Sequence, residues 1–310
     1  MNVSICVATM QRQEALGQLL SSIEKLTFKK ITCPVIEIIV VDNDPQATSQ
    51  EFVSTLQKSY RWSIKYVCEK RRGIPFARNT AIYNCSDNFD YIVFIDDDEY
   101  VEALWLEELL IAQKEYNADV VTGPVIPKFT KAPPRWIEEG NFFARTRHVS
   151  GTDMKHVATN NVLISKDVID YMKQTQLFNE KMSLTGGTDN HFFLRVYKKG
   201  FKMIWANEAV VYEWVPVSRA NVKWILKRAY RIGITDTICE REIFPSKLFN
   251  IKQLVRGMGR VVLGTILAIP SLAFGKHKLI RVLRGVSRGL GFIMATFGFK
   301  YDEYKKIHKV

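Results

Sequence analysis

Short apolar runs that end in acidic residues constrain the fold of this chain more than any other feature. Val3–Ala8, Ile36–Val41 and Tyr91–Ile95 are almost wholly apolar, and acids follow the second and third at once. Such near-continuous runs suit strands buried on both faces of a mostly parallel sheet. Between them lie segments with apolar residues at helical spacing. Arg12–Leu26 carries Leu16, Leu19, Leu20 and Ile23, and helices are also predicted over Ser49–Tyr60, Ile74–Asn84 and Trp105–Tyr116. Further strands are predicted at Ser63–Val67 and Asp119–Val125. This alternation implies an α/β fold, Rossmann-like, with helices on both faces of the sheet. In such sheets ligands sit beyond the carboxyl ends of the strands. That singles out Thr9 and Arg12, then Asp42 and Asp44, then Asp96, Asp97, Asp98 and Glu99.

From Pro127 to Asp153 regular spacing fades, and a long irregular excursion of the kind that forms lids or binding loops is predicted. Order returns with a strand at Val162–Ser165, helices at Lys166–Gln174 and Asp189–Lys199, strands at Phe201–Trp205 and Ala209–Glu213, and a basic helix at Asn221–Ile232. After Pro245 the composition turns basic and apolar. The net charge is +12 over 310 residues, and +11 of it falls from Lys247 onward, where 13 Lys and Arg face only Asp302 and Glu303. The expected organisation is therefore a domain over 1–245 and a basic, amphipathic helical region over 246–310.

That asymmetry points to an anionic surface. Val261–Phe274 is the longest uncharged run and falls short of the ~20 residues of a membrane span. Lys252, Arg256 and Arg260, and then Arg281, Arg284 and Arg288, recur on single helical faces beside apolar ones. This suits helices lying in a membrane interface and drawn to anionic lipid. A re-entrant hairpin through Gly264–Phe274 and a packed helical appendage remain alternatives. The five cysteines form no CxxC pair, so reduced structural thiols are expected. The chain enters its first strand at once, and no secretory leader is expected.

The acids carry the chemistry. If Asp96-Asp97-Asp98 is extended, Asp96 and Asp98 point to one side, and two adjacent carboxylates call for a cation. Oxygen-only ligands suit Mg²⁺ or Mn²⁺, which take phosphate oxygens as further ligands. A helix N-terminus would also favour these acids. Asp42 and Asp44 suit hydrogen bonds to a base or ribose, or a turn with Pro45. In Arg71-Arg72-Gly73-Ile74-Pro75-Phe76-Ala77-Arg78-Asn79, Gly73 permits close backbone approach and the guanidinium of Arg78 fits phosphate. Gly186 and Gly187 turn into a helix near Asp189, and the start of a helix keeps a carboxylate ionised and able to act as a base.

The order of strand, Asp42, Arg72-Gly73, Ala77-Arg78-Asn79 and Asp96-Asp97-Asp98 resembles the family 2 glycosyltransferases of GT-A fold, of the kind that build bacterial exopolysaccharide and related glycans. The usual Thr-Tyr-Asn-Arg is replaced here by Thr9-Met10-Gln11-Arg12. In Thr185-Gly186-Gly187-Thr188-Asp189-Asn190, Thr188 replaces the usual Glu. The resemblance implies an inverting, metal-dependent transferase with a nucleotide-diphosphate-sugar donor, most simply a UDP-sugar. Donor contacts would come from Thr9, Arg12, Asp42, Asp44, Arg72, Arg78, Asp96 and Asp97, with Mn²⁺ or Mg²⁺ at Asp98 and Asp96. Asp189 would be the catalytic base, with His191 in reserve, and Arg228 and Arg231 would contact diphosphate or acceptor. The Gln-x-x-Arg-Trp motif of processive synthases is absent, so transfer of single sugars is expected. The acceptor would be a glycan, free or lipid-linked, met at the cytoplasmic face of the membrane. A nucleotidyltransferase usually needs a Gly-rich phosphate loop, which Val7-Ala8-Thr9-Met10-Gln11-Arg12 lacks. A nucleic-acid-binding protein would leave the aligned carboxylates unexplained, because they repel phosphate; no nucleic-acid partner is expected.

Overall fold

The computed structural model describes residues 1–183 and 185–301, so the end of the expected 246–310 region lies outside the described residues. The first half alternates as the apolar runs require: β1 (Asn2–Thr9), α1 (Gln13–Glu24), β2 (Val35–Asp42), α2 (Gln50–Leu56), β3 (Ser63–Cys68), α3 (Ile74–Asn84), β4 (Tyr91–Asp96), β5 (Glu99–Val101), α4 (Trp105–Tyr116), β6 (Val120–Thr122) and β7 (Val125–Phe129). Then come α5 (Arg135–Gly140), β8 (Val162–Ser165), α6 (Lys166–Thr175), α7 (Thr188–Lys199), β9 (Met203–Trp205), β10 (Val211–Val215), α8 (Val222–Ile243), α9 (Phe249–Leu272) and α10 (Lys276–Thr296).

Seven strands form the main sheet in the order β3-β2-β1-β4-β8-β6-β9. All neighbours are parallel except β8, which runs antiparallel to β4 and β6. Alternate side chains go to opposite faces. Ile5, Val7, Ile38 and Val40 join Leu16, Leu20, Ile23, Trp105 and Leu109 in one core layer. Cys6, Ile39, Val41 and Phe94 join Ala77, Ile82, Ile169, Phe192 and Phe193 in the other. This two-sided burial is why β1, β2 and β4 read as continuous apolar runs, and the architecture is the expected α/β type, a mostly parallel sheet between helices, with added C-terminal helices. Register brings the functional ends together: Thr9 pairs with Asp42, and Ala8 with Asp96.

Some expectations need correction. The strand predicted over Asp119–Val125 is two strands, with β6 in the main sheet and β7 in a three-stranded sheet of order β5-β10-β7. Pro124 has no N–H for a ladder, and Gly123 packs so tightly that a Cβ would strike the Ala209 carbonyl and the Asn161 amide. The excursion Pro127–Asp153 holds the end of β7 and a short helix, α5. The basic helix runs on to Ile243 rather than stopping at Ile232, because Gly233, Ile234 and Thr237 are buried on it. Finally, Asp97 and Asp98 form a turn between β4 and β5 and are not extended.

The C-terminal helices form a hairpin, turned at Gly275 (φ 98°). Among the described residues α9 is the one helix long and apolar enough, by length and composition, to cross a membrane. The expectation of runs too short to span was drawn from the uncharged stretch alone, whereas the helix extends well beyond it. The inner side of α9 is small or polar, with Gln253, Gly257, Gly264 and Ser271 buried. Its outer side exposes Val255, Val262, Ile266 and Ile269, the last of them 79% exposed.

Candidate functional site

A cleft of about 360 Å³ opens at the carboxyl ends of β1 and β4. The ends of strands, the starts of helices and the linkers all feed it. β1 and the loop after it supply Thr9 and Arg12; the loop after β2 supplies Asn43; the loop into α3 supplies Arg72 and Gly73, and α3 itself Arg78. The β4–β5 turn brings Asp96, Asp97 and Asp98; the stretch before β8 brings Thr159 and Asn160; α7 brings Thr188 and Asp189. Glu213 comes from β10, and Arg228 and Arg231 from α8.

The turn acids are held by cations. Asp97 accepts from Thr9 Oγ1 at 2.8 Å and Arg12 Nη1 at 3.0 Å. Asp98 Oδ2 accepts from Arg12 Nη1 at 3.2 Å and Arg219 Nη2 at 3.5 Å. Asp96 Oδ1 lies 3.5 Å from Arg78 Nη2. Burial pushes the Asp97 carboxyl up to about 7, against the pull of Arg12. Burial also raises Asp96 and Asp98, with Arg78 offsetting the first and Arg12 and Arg219 the second. Glu99 behind them accepts from the Asp96 N–H at 2.9 Å and from Asn160 Nδ2 at 3.1 Å, and burial drives its carboxyl well above the usual range.

Asp97 and Asp98 are buried, whereas the Asp96 side chain is 42% exposed to the cleft; carboxylates crowded together in this way favour a cation or a proton. Among the described residues no three His, Cys, Asp or Glu side chains are grouped to enclose a metal ion. Mg²⁺ and Mn²⁺ fit one or two carboxylates, taking their remaining ligands from substrate phosphate and water. Asp96 and Asp98 are therefore a donor set that fits such an ion.

Asp189 lies in the first turn of α7, whose N-cap is Gly187 in the left-handed region (φ 82°). It is thus inside the helix and not its cap. Arg78 ties this helix start to the turn acids, because its Nη1 donates to Thr188 Oγ1 at 3.4 Å while Nη2 faces Asp96. The threonine in place of a glutamate makes that contact without adding a second charge. His191 is buried beneath α8, with Nε2 3.2 Å from Glu242, and does not line the cleft; burial lowers its pKa.

Asp42 and Asp44 also lie behind the wall. Asp42 is fully buried and accepts from the Ser49 N–H at 2.8 Å and from Tyr66 Oη at 3.0 Å. Asp44 accepts from Thr48 Oγ1 at 2.9 Å. These bonds shape the loop after β2; Asn43 between the two acids borders the cleft, with its side chain tied to the Glu69 and Arg71 carbonyls and the Gly73 N–H. Arg228 stacks on Trp224, 5.0 Å from the ring centre, and shares its wall with Arg145, Arg219 and Arg231. Burial, with those neighbours adding to it against Glu213, pulls the Arg228 pKa down to about 10.

Sequence reasoning gives no site role to Asn43, Arg145 or Asn160, and meets Glu213 and Arg219 only in the segment that leads into the basic helix. Arg145 Nη1 donates to Asn160 Oδ1 at 3.1 Å. The signal for Asn160 was a polar triplet, Thr159-Asn160-Asn161, directly before an apolar strand and buried throughout. Asn161 is scaffold: it accepts from Trp105 Nε1 at 2.9 Å and donates to the Ala209 carbonyl at 2.7 Å.

Residues 4–172 match the family model described as glycosyl transferase family 2. Over 294 residues the chain is 28% identical to the succinoglycan biosynthesis protein ExoM of Rhizobium meliloti (strain 1021), covering 94% of this chain and 93% of that protein. It is 25% identical to the glycosyltransferase GlyA of Streptococcus pneumoniae serotype 4, over 77% of this chain and 34% of the relative. Among solved structures, S. aureus TarS 1-349 in complex with UDP-GlcNAc superposes with a TM-score of 0.55 at 16% identity, covering 93% of this chain and 90% of that one. GalNAc-T7 with UDP, GalNAc and Mn²⁺ gives 0.53 at 12% identity, over 76% and 48% of the two chains. At such identities these structures speak for the fold alone.

Proposed function

Since the chain belongs to glycosyl transferase family 2, and is a glycosyltransferase, we propose that it moves one sugar from a UDP-sugar to a glycan acceptor, with inversion at the anomeric carbon. The observation that carries this reading is one cleft holding the β4–β5 acids, Asp189 at a helix start, and arginines from several elements. A relative named for succinoglycan biosynthesis supports it, and a protein of similar fold is solved with UDP-GlcNAc.

In this mechanism Asp189 takes the proton of the acceptor hydroxyl as its oxygen bonds to the anomeric carbon. The bond from that carbon to the diphosphate breaks in the same step, in line with the attack. Arg78, Arg228 and Arg231 receive the charge that gathers on the leaving diphosphate. Asp96 and Asp98 are the residues that would hold Mn²⁺ or Mg²⁺, whose charge would offset that of the diphosphate. Thr9 and Arg12 keep the turn acids in place through Asp97. Arg72 and Asn43 line the side from which a nucleoside would be held, with Asp42 and Asp44 shaping that loop from behind.

The acceptor is proposed to be lipid-linked and met at the cytoplasmic face of the membrane, where the basic region from Ser246 onward would dock. The exposed apolar side of α9 supports this reading. Thermal stabilisation tests the donor assignment. UDP with Mn²⁺ should raise the unfolding temperature by several degrees and duplex DNA should not. Stabilisation by DNA alone would reverse the assignment.

A further inference from the structure

Arg219 stands where a cation belongs. Its Nη2 is 3.5 Å from Asp98 Oδ2 and its Nη1 is 3.1 Å from Glu213 Oε1, so one guanidinium bridges carboxylates from two separate elements, the β4–β5 turn and β10. The same Asp98 oxygen takes Arg12 Nη1 at 3.2 Å. A divalent ion bound to that oxygen, about 2.1 Å from it, competes with both guanidiniums for its lone pairs and repels their charge, so one of them is expected to give way. Arg12 is the fixture of the two. It borders α1, and its Nη1 also holds Asp97 at 3.0 Å, on a carboxylate that Thr9 holds from the other side. Arg219 lies on a single 3-10 turn, Val217–Arg219, in the connection between β10 and α8. It can leave Asp98 and keep Glu213. The wall it would turn toward already holds Arg145, Arg228 and Arg231, a crowd of like charges that a diphosphate would neutralise.

We propose that Arg219 is a place-holder for the catalytic cation: it neutralises Asp98 in the donor-free chain, yields that carboxylate to the metal when metal and nucleotide arrive together, and turns its guanidinium to the diphosphate. The proposal rests on the reading of the cleft as a metal and nucleotide-diphosphate site. It makes Arg219 a positioning residue that couples the two ligands. Mn²⁺ alone must compete with a guanidinium and binds weakly, whereas UDP gives the displaced guanidinium a new partner and so tightens Mn²⁺. By linkage, Mn²⁺ tightens UDP by the same factor.

The test is Mn²⁺ binding to the full-length protein, followed by the paramagnetic resonance of free Mn²⁺, with and without UDP, in wild type and Arg219→Gln. The expected result is that the variant binds Mn²⁺ alone about tenfold more tightly than wild type and binds UDP at saturating Mn²⁺ about tenfold more weakly, so the factor by which UDP tightens Mn²⁺ collapses. Arg219→Lys retains the charge, and its affinity for Mn²⁺ alone should stay within about twofold of wild type. A wild-type measurement stands beside these should Arg219→Gln fail to fold. With arginine side chains ¹⁵N-labelled and the Arg219 signal assigned by its loss in Arg219→Lys, that signal should move on addition of Mg²⁺ and UDP together and stay in place with Mg²⁺ alone. If wild type binds Mn²⁺ in the presence of UDP but Arg219→Gln leaves the affinity for Mn²⁺ alone unchanged, or the signal does not move, the place-holder is refuted and the metal site stands. If wild type binds no Mn²⁺ even with UDP, both are refuted.

Discussion

In the proposed mechanism Asp98 and Asp189 have different roles, and single substitutions separate them. Asp98→Asn keeps the shape of the turn and removes the charge that would hold a cation, so it should abolish the gain in UDP affinity that Mn²⁺ provides. Calorimetric titration of UDP with and without Mn²⁺ measures this, and an undiminished gain would remove Asp98 from the site. Asp189→Asn should leave UDP affinity within a few-fold of wild type and slow transfer by ~10²-fold or more, the scale of a lost general base. Transfer to the true acceptor at a near-normal rate would move the base elsewhere, though not to His191, which faces Glu242 under α8. The residues that strand ends deliver were legible, because a buried apolar run tells where its carboxyl end must fall. That reasoning places Asp96, Asp97, Asp98, Thr9 and Arg12 at the sheet edge, where all five line the cleft. It places Asp42 and Asp44 at that edge too, but a run of letters does not tell a carboxylate that faces the cleft from one that ties a loop from behind. Arg145, Asn160 and Arg219 come from connections, where no periodicity announces a direction.

Helix α8 joins the cleft to the C-terminal hairpin, and its contact with α10 depends on the absence of side chains. A Cβ on Gly291 would strike the Tyr230 carbonyl oxygen, and one on Gly233 would strike the Arg288 carbonyl oxygen. The Arg288–Asp236 pair at 2.7 Å clamps the same two helices, and Asp236 also accepts from Asn190 of α7 at 3.1 Å. Gly291→Ala gains at most about 1 kcal/mol of helix propensity, while overpacking against backbone costs about 1–3 kcal/mol or more. The substitution should therefore lower the denaturant midpoint, and it should weaken UDP binding, because α8 carries Arg228 and Arg231. A midpoint at or above that of wild type would contradict this contact. The long strands and helices of the first half were readable from their periods. The split of β6 from β7 was not, because it depends on how closely Gly123 approaches backbone brought from elsewhere in the chain. The full length of α8 was hidden for the same reason, since its last turns are buried by α7 and α10 and carry no simple apolar stripe.

The molecule as a whole is asymmetric in charge and in polarity. Nearly all of the net charge of +12 lies beyond Ser246, where the α9–α10 hairpin also bares an apolar side. Basic residues contribute about 1 kcal/mol each near an anionic surface, and an apolar helix face adds to this. The full chain should co-sediment with anionic liposomes, less at high salt because surface charges are screened, and little with neutral ones. Val262→Asn, Ile266→Asn and Ile269→Asn together should release it while stabilisation by UDP and Mn²⁺ persists; a triple variant that still pellets at low salt would deny α9 this role. The hairpin packs on α8, and Arg281 Nη2 donates to the Gly140 carbonyl of α5 at 3.1 Å, so substitution is a cleaner test than deletion. The central claim concerns the chemistry of the cleft. It is tested most directly by release of nucleoside diphosphate from a panel of nucleotide sugars, with Mn²⁺ or with a chelator. The expected result is UDP released from at least one UDP-sugar, only with the metal, and lost in Asp98→Asn. No release from any nucleotide sugar, or release that the chelator and Asp98→Asn leave untouched, would contradict it.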